Sequence, residues 1–226
     1  MVKIYYFSGA GHSKRVAEFL AYRLDTEAQE IRQDVKASGD TLAVIFPVYC
    51  QNVPDPVARF LQKAEAKHFV LIATYGRMSY GNVIYEASKL VSGDVIAAAY
   101  LPCGHTYLGQ ADSPDFSGLE GIFERIEAPK AVAIPPSYKS AWADIFPNLR
   151  SRIGVKIIKN SRCTECAVCE SVCPMGEISK GVTNKRCIRC LKCVCACPEN
   201  ALDVKYNAVL RLYLKKKPKN DKVVYL

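Results

Sequence analysis

Residues 163–198 read CTECAVCESVCPMGEISKGVTNKRCIRCLKCVCACP, and this stretch decides how the rest of the chain is read. It contains the spacing C-x2-C-x2-C-x3-C-P twice. A shift of 24 residues lays Cys163, Cys166, Cys169, Cys173 and Pro174 on Cys187, Cys190, Cys193, Cys197 and Pro198, and Ile178 on Leu202. Such a match does not arise twice by chance, so a small domain of two similar halves is expected. Three thiolates two residues apart can wrap one iron–sulfur cube, because a short loop turns their sulfurs inward. The fourth cysteine begins a helix, points the other way and serves the other cluster. One set is therefore Cys163, Cys166, Cys169 and Cys197, and the other is Cys187, Cys190, Cys193 and Cys173. Pro174 and Pro198 suit a helix boundary at the fourth ligand. Structural zinc is the competing reading, but zinc takes four ligands in all, usually as C-x2-C pairs. Cys195, which falls opposite Ser171, is a spare. It reads as a small buried side chain, with substitute ligation as the alternative.

Nine of the eleven cysteines lie between Cys163 and Cys197, in a chain of 226 residues. That is too long for a small disulfide scaffold, and clustered intracellular cysteines point to metal. No run approaches the roughly 18 apolar residues of a membrane span. MVKIYYFSGAGHS (1–13) reads as a strand and a glycine loop rather than a secretory leader. A cytoplasmic protein with no membrane association is expected. The formal charge of +9 would suggest nucleic acid. Metal-bound cysteines are thiolates, however, and two four-iron clusters would contribute about −4. Nucleic acid is therefore not an expected partner. The remaining charge gathers at Lys215, Lys216, Lys217 and Lys219, read as a solvated tail. A docking patch for an acidic electron-transfer protein is the alternative. Redox proteins are the expected partners, and a homodimer is compatible with the sequence.

Upstream, apolar runs alternate with amphipathic stretches. Strands are expected at KIYYF (3–7), EAQEI (27–31), TLAVIFPVY (41–49), HFVLIATY (68–75) and DVIAAAYL (94–101). Helices are expected over 13–24, 55–63, 83–91 and 119–128. Nearly continuous apolar strands are covered on both faces. The alternation predicts an α/β fold with a doubly wound, parallel, five-stranded sheet. Residues 103–117 read as a loop. Pro129, Pro135 and Pro136 mark 129–154 as a linker, with Trp142 and Phe146 as aromatic anchors. The expected domains are thus 1–128, a linker at 129–154, a small α+β domain at 155–206 and a basic tail at 207–226.

KIYYFSGAGHSKRVAEFL (3–20) sets a strand, a glycine loop and a helix start in succession. Backbone N–H groups at such a turn make an anion site, and Ser8 and Ser13 add hydroxyls. The spacing is neither that of a nucleoside-triphosphate loop nor that of a dinucleotide loop.

Residues 1–128 resemble a flavodoxin-like domain. The first loop is similar to the flavodoxin phosphate loop [ST]-x-T-G-[NT]-[ST], with Ser8, Gly9, Ala10, Gly11, His12 and Ser13 in those places. Ala10 lacks the usual threonine hydroxyl, and His12 replaces asparagine or threonine. The backbone donors survive both changes. A cationic His12 would favour a phosphate, a surface cap being the plainer role. The resemblance implies FMN, cradled by loops after the third and fourth strands. These supply Pro47, Val48, Tyr49 and Cys50 (followed by Gln51 and Asn52), then Thr74, Tyr75, Gly76, Arg77, Met78 and Gly81. Tyr49 and Tyr75 are candidates for ring contacts or for ordinary strand-end packing. Gly76 would let the backbone approach the ring, and Arg77 would either favour an anionic reduced flavin or face solvent. A third loop, Cys103 to Tyr107, could close over the site. Cys50 and Cys103 read as small apolar fillers or as thiols near the flavin.

Residues 155–206 resemble the bacterial two-cluster ferredoxins, and the tandem resembles the flavodoxin–ferredoxin fusion proteins of anaerobic bacteria and archaea. That resemblance implies an iron–sulfur flavoprotein passing electrons between two [4Fe-4S] clusters and FMN. No acid–base pair or activated nucleophile stands out, which favours a carrier. The alternatives are a flavin-dependent reductase of a quinone or free flavin, and a cluster-only carrier whose first domain has lost FMN and serves for docking.

Overall fold

Each of the five expected strands forms: β1 (Val2–Tyr6), β2 (Ala28–Glu30), β3 (Ser38–Pro47), β4 (Glu65–Tyr75) and β5 (Asp94–Pro102). Between them lie α1 (His12–Arg23), α2 (Asp55–Leu61) and α3 (Val83–Ser88), and α4 (Glu120–Glu127) follows. The computed structural model describes residues 1–32, 35–109, 114–145 and 147–226. Strands β1 to β5 pair in parallel. A sixth strand, β10 (Val223–Tyr225), pairs antiparallel with β5, Val223 opposite Tyr100. The order β10-β5-β4-β3-β1-β2 is compatible with a flavodoxin-like fold.

The sheet is covered on both faces, as its unbroken apolar strands require. Ile4, Ala43, Ile45, Val70, Ile72 and Leu101 share a core with Val16 and Leu20 of α1 and Ile122 of α4. On the other face the Tyr5 ring meets Phe60 of α2 at 5.0 Å. There too the Ile84 amide of α3 donates to the Tyr100 hydroxyl at 2.7 Å.

The chain divides into two units, one of residues 1–141 with 218–226 and one of residues 142–217. This corrects the expected boundaries and the expected strand count. The supposed linker is divided between the two units, its first half, 129–141, falling in the first, where the Val132 amide donates to the Val95 carbonyl at 2.8 Å. The supposed solvated tail is ordered in two pieces. Asn207 caps α8 (Ala208–Leu214), its side chain accepting from the Leu210 amide at 2.8 Å. Beyond the lysines the chain supplies β10. Trp142, an expected aromatic anchor, is 69 % exposed; Phe146 lies outside the described residues.

The second unit also carries α5 (Pro147–Gly154), β6 (Val155–Lys159), α6 (Val168–Ser171), β7 (Ile178–Ser179), β8 (Val182–Thr183), α7 (Lys192–Ala196) and β9 (Leu202–Tyr206). Strands β6 and β9 form an antiparallel ribbon, as do β7 and β8. Its small core joins Ile178 and Leu202, the repeat-related pair, to Cys193, with Cys169, Cys173 and Cys197 packed on it. Among the described residues no helix is long and apolar enough to cross a membrane.

Candidate cluster and flavin sites

The eight motif cysteines surround two cavities, and the cavities sort them. Cys163, Cys166, Cys169 and Cys197 line one, of about 370 Å³ including its open mouth. Cys173, Cys187, Cys190 and Cys193 line the other, of about 320 Å³ measured in the same way. Each set takes three cysteines from one repeat and the fourth from the other, the crossed grouping that the spacing predicts. Among the described residues no group of three or more His, Cys, Asp or Glu side chains is placed to hold a single metal ion. Four sulfurs to a cavity, with no histidine or carboxylate shared by both sets, is a donor set that fits a thiolate-held iron–sulfur cluster.

Backbone geometry repeats with the cysteines. Glu165 and Ala167 flank Cys166 at φ 55 and 61, and Arg189 and Leu191 flank Cys190 at φ 57 and 61. Left-handed backbone is unfavourable for such residues and persists only where the surroundings demand it. Alternating handedness turns successive N–H groups to one side and creates an anion-binding concavity, as in many iron–sulfur loops. The bridging cysteines receive amides directly. The Ala201 N–H donates to the Cys197 sulfur at 3.3 Å, and the equivalent bond in the other half has the same length.

The two cavities differ in exposure. Cys187, Cys190 and Cys193 are buried, whereas Cys166 is exposed and Cys163 is intermediate. Burial pushes the Cys190 and Cys193 thiols up to about 12, and neighbouring thiolates push in the same direction. In such surroundings a metal cation is what makes the thiolate the favoured form. Cys195 is exposed and lines neither cavity.

In the first unit the predicted loops gather at the carboxyl ends of the strands. Gly11 caps α1 at φ 91, a conformation that suits glycine, and a side chain there would meet nothing within 4 Å. Its amide donates to the Ser8 hydroxyl at 3.0 Å. Gly9 and Ala10 are partly exposed, while His12 and Ser13 are buried. The Ser13 and Thr74 hydroxyls bond at 2.8 Å, tying this loop to the end of β4. Helix α1 therefore presents its first-turn N–H groups beside a glycine that opens onto free space, and these donors fit a phosphate.

The second loop is a tight turn. Tyr49 and Asn52 exchange backbone hydrogen bonds of 3.1 and 2.9 Å, with Cys50 and Gln51 at φ 51 and 64 between them. Pro47 pairs with Thr74, and the Val48 amide donates to the Thr74 carbonyl at 2.8 Å. Tyr49 is partly exposed, with its ring edge-on to Phe7 at 6.2 Å. Cys50 is exposed; Cys103 is buried.

In the fourth-strand loop Tyr75 takes the packed alternative: it is 1 % exposed, and its hydroxyl donates to the Asp221 carbonyl at 2.6 Å. Gly76 lies against the third loop, since a Cβ there would come within 2.7 Å of the His105 ring. Arg77 and Met78 are partly buried. The carbonyl of Arg77 accepts the Lys219 amide at 2.6 Å. Burial pushes His105 down to about 4, with His12 contributing in the same direction. The third loop does approach the others through His105; residues 110–113 lie outside the described set.

Sequence reasoning missed the strap at 137–140. Ser137 donates to the Gly81 carbonyl through its hydroxyl and to the Asn82 side chain through its amide, both at 2.7 Å. Lys139 reaches Asn52 at 2.7 Å and Glu86 at 2.6 Å, and the Ser140 amide reaches the Gln51 side chain at 2.9 Å. Nothing local marks such partners, which lie some 50 to 90 residues away.

No protein-family model matches this chain. A search of the curated proteins likewise returns no match.

Proposed function

We propose that this protein is an electron-transfer iron–sulfur flavoprotein, with two [4Fe-4S] clusters in residues 142–217 and FMN at the carboxyl edge of the first sheet. The observation that carries the reading is the sorting of eight cysteines into two cavities in crossed sets. When bound, the clusters exchange one electron at a time and the flavin one or two. Cys163, Cys166, Cys169 and Cys197 would hold one cluster, and Cys187, Cys190, Cys193 and Cys173 the other. Loop amides and the N–H donors to Cys173 and Cys197 stabilise negative charge on the sulfurs. In the first unit, residues 8–13 and the start of α1 would hold the phosphate, with Ser13 braced by Thr74. Tyr49, partly exposed on the second loop, is the candidate to meet a ring. This reading takes the first unit as flavodoxin-like and the second as two-cluster ferredoxin-like, working in the cytoplasm between redox proteins.

A second reading has its own support. Tyr75 is committed to the core and Gly76 to His105, which favours a cluster-only carrier whose first unit serves for docking. Iron, acid-labile sulfide and extractable flavin per chain, measured after anaerobic purification, separate the two. About eight irons with one FMN is the expected result. Eight irons without flavin would support the carrier, and zinc without sulfide would sink both.

A further inference from the structure

The repeat permits a position-by-position comparison of the two cysteine loops. Glu165 and Arg189 occupy equivalent places, each just before the central cysteine and each in left-handed backbone at φ 55 and 57. One repeat therefore carries a carboxylate where the other carries a guanidinium.

Their surroundings differ as much as their charges. Glu165 lines the cavity of the more exposed cysteines, in solvent, paired with Lys159 at 3.1 Å and Lys180 at 3.7 Å. Arg189 is only 9 % exposed. Its Nε donates to the Val155 carbonyl at 3.0 Å and its Nη1 to the Thr183 hydroxyl at 2.7 Å. Thr183 in turn lines the cavity of the buried cysteines. The cavity of the more exposed cysteines has Glu165, Lys180 and Glu199 on its wall, whereas the lining of the cavity with the buried cysteines carries no charged side chain. Glu177, a buried carboxylate of the same half, is held by Arg186 at 2.9 Å.

A cube bound by four thiolates is an anion, and each electron accepted makes it more so. Where the cysteines are exposed, water and mobile ions screen that charge. Where they are buried, desolvation opposes it, and a fixed cation acts across a medium of low effective dielectric. Arg189 is a permanent cation, fixed at two nitrogens beside the site where burial is greatest.

Building on the cluster reading above, we propose that Arg189 is a positioning residue that supplies the fixed counter-charge of the Cys187–Cys190–Cys193–Cys173 cluster and sets its reduction potential. Glu165, its screened counterpart, has little such influence on the other cluster.

The test is a dithionite titration followed by EPR, each added electron reducing one cluster. It uses wild type, Arg189→Gln, Arg189→Lys and Glu165→Gln, and repeats Arg189→Gln in a Cys197→Ala background that retains only the second cluster. Wild type lacking iron and sulfide would end the cluster reading before any variant is made. With clusters present, Arg189→Gln should move one potential to a more negative value, and the same shift should persist in the Cys197→Ala background. Arg189→Lys should stay near wild type, and Glu165→Gln should move neither potential appreciably. Fully loaded Arg189→Gln with both potentials unmoved overturns the proposal. Lysine keeps the charge but cannot make both guanidinium hydrogen bonds. Should the glutamine variant lose its cluster, retention of cluster and potential by Arg189→Lys supports the counter-charge. Loss in Arg189→Lys as well shows a structural clamp and overturns it.

Discussion

The Glu177 amide donates to the sulfur of Cys173 at 3.3 Å, so the cysteine that crosses to the second cavity is fixed by its own repeat. Cys197 is held likewise by Ala201. Cys197→Ala should therefore remove the cluster of Cys163, Cys166 and Cys169 and spare the one beside Cys193, although Cys193 is nearer in sequence. Iron content should fall by about half, with one EPR signal lost. Selective loss of the other signal would refute the crossed assignment.

Removing residues 218–226 should destabilise the first unit, because it strips β10 from the edge of β5 and removes the acceptor of the Tyr75 hydroxyl. Tyr75→Phe isolates the second effect. One buried hydrogen bond contributes about 1 kcal/mol net, so Tm should fall by about 2–4 °C. The deletion should lower it further and promote association through the uncovered strand edge. Thermal unfolding and light scattering measure both, and a truncated chain as stable as wild type would contradict the pairing.

His105 should stay neutral well below the usual histidine range. Burial holds its folded value near 4, below the ordinary histidine value of 6.5, so the unfolded chain takes up the proton first. Stability linked to this group is complete above about pH 6.5 and is lost as pH falls toward about 4. Histidine NMR should show one imidazole titrating near 4, absent in His105→Gln, and that variant should show a shallower loss of stability over the same range. Gly76→Ala should raise this titration, since a Cβ pushes the ring toward solvent.

Ser13→Ala and Thr74→Val each break the brace between the first loop and β4. If the first loop holds the phosphate of FMN, each should weaken its binding by up to about tenfold, with their effects not adding. Flavin fluorescence titrations read this directly. Unchanged affinity in both variants would move the phosphate away from this loop.

Much of this architecture was legible because it rests on local pattern. Strands β1, β3, β4 and β5 follow apolar runs, and the cysteine sets declare themselves by spacing. What stayed hidden depends on distant partners. Val223 to Tyr225 is too short and too near a lysine run to read as a strand without β5 beside it. The prolines of 129–140 do break regular structure, but nothing in them reveals that Ser137 and Lys139 bind loops far upstream. Tyr75 ends an apolar strand, and sequence alone left its two possible orientations equal. The left-handed positions were invisible for another reason: Glu165, Ala167, Arg189 and Leu191 are residue types that carry no signature for that conformation.

The return of residues 223–225 to the first sheet also has a consequence for biosynthesis. A polypeptide leaves the ribosome from its amino end, so the edge of β5 waits for its antiparallel neighbour while every cysteine of the second unit is made. The second unit is thus complete in the nascent chain before the first can close its sheet. Synthesis of the cysteine-bearing half and completion of the sheet are ordered in time by the path of the chain.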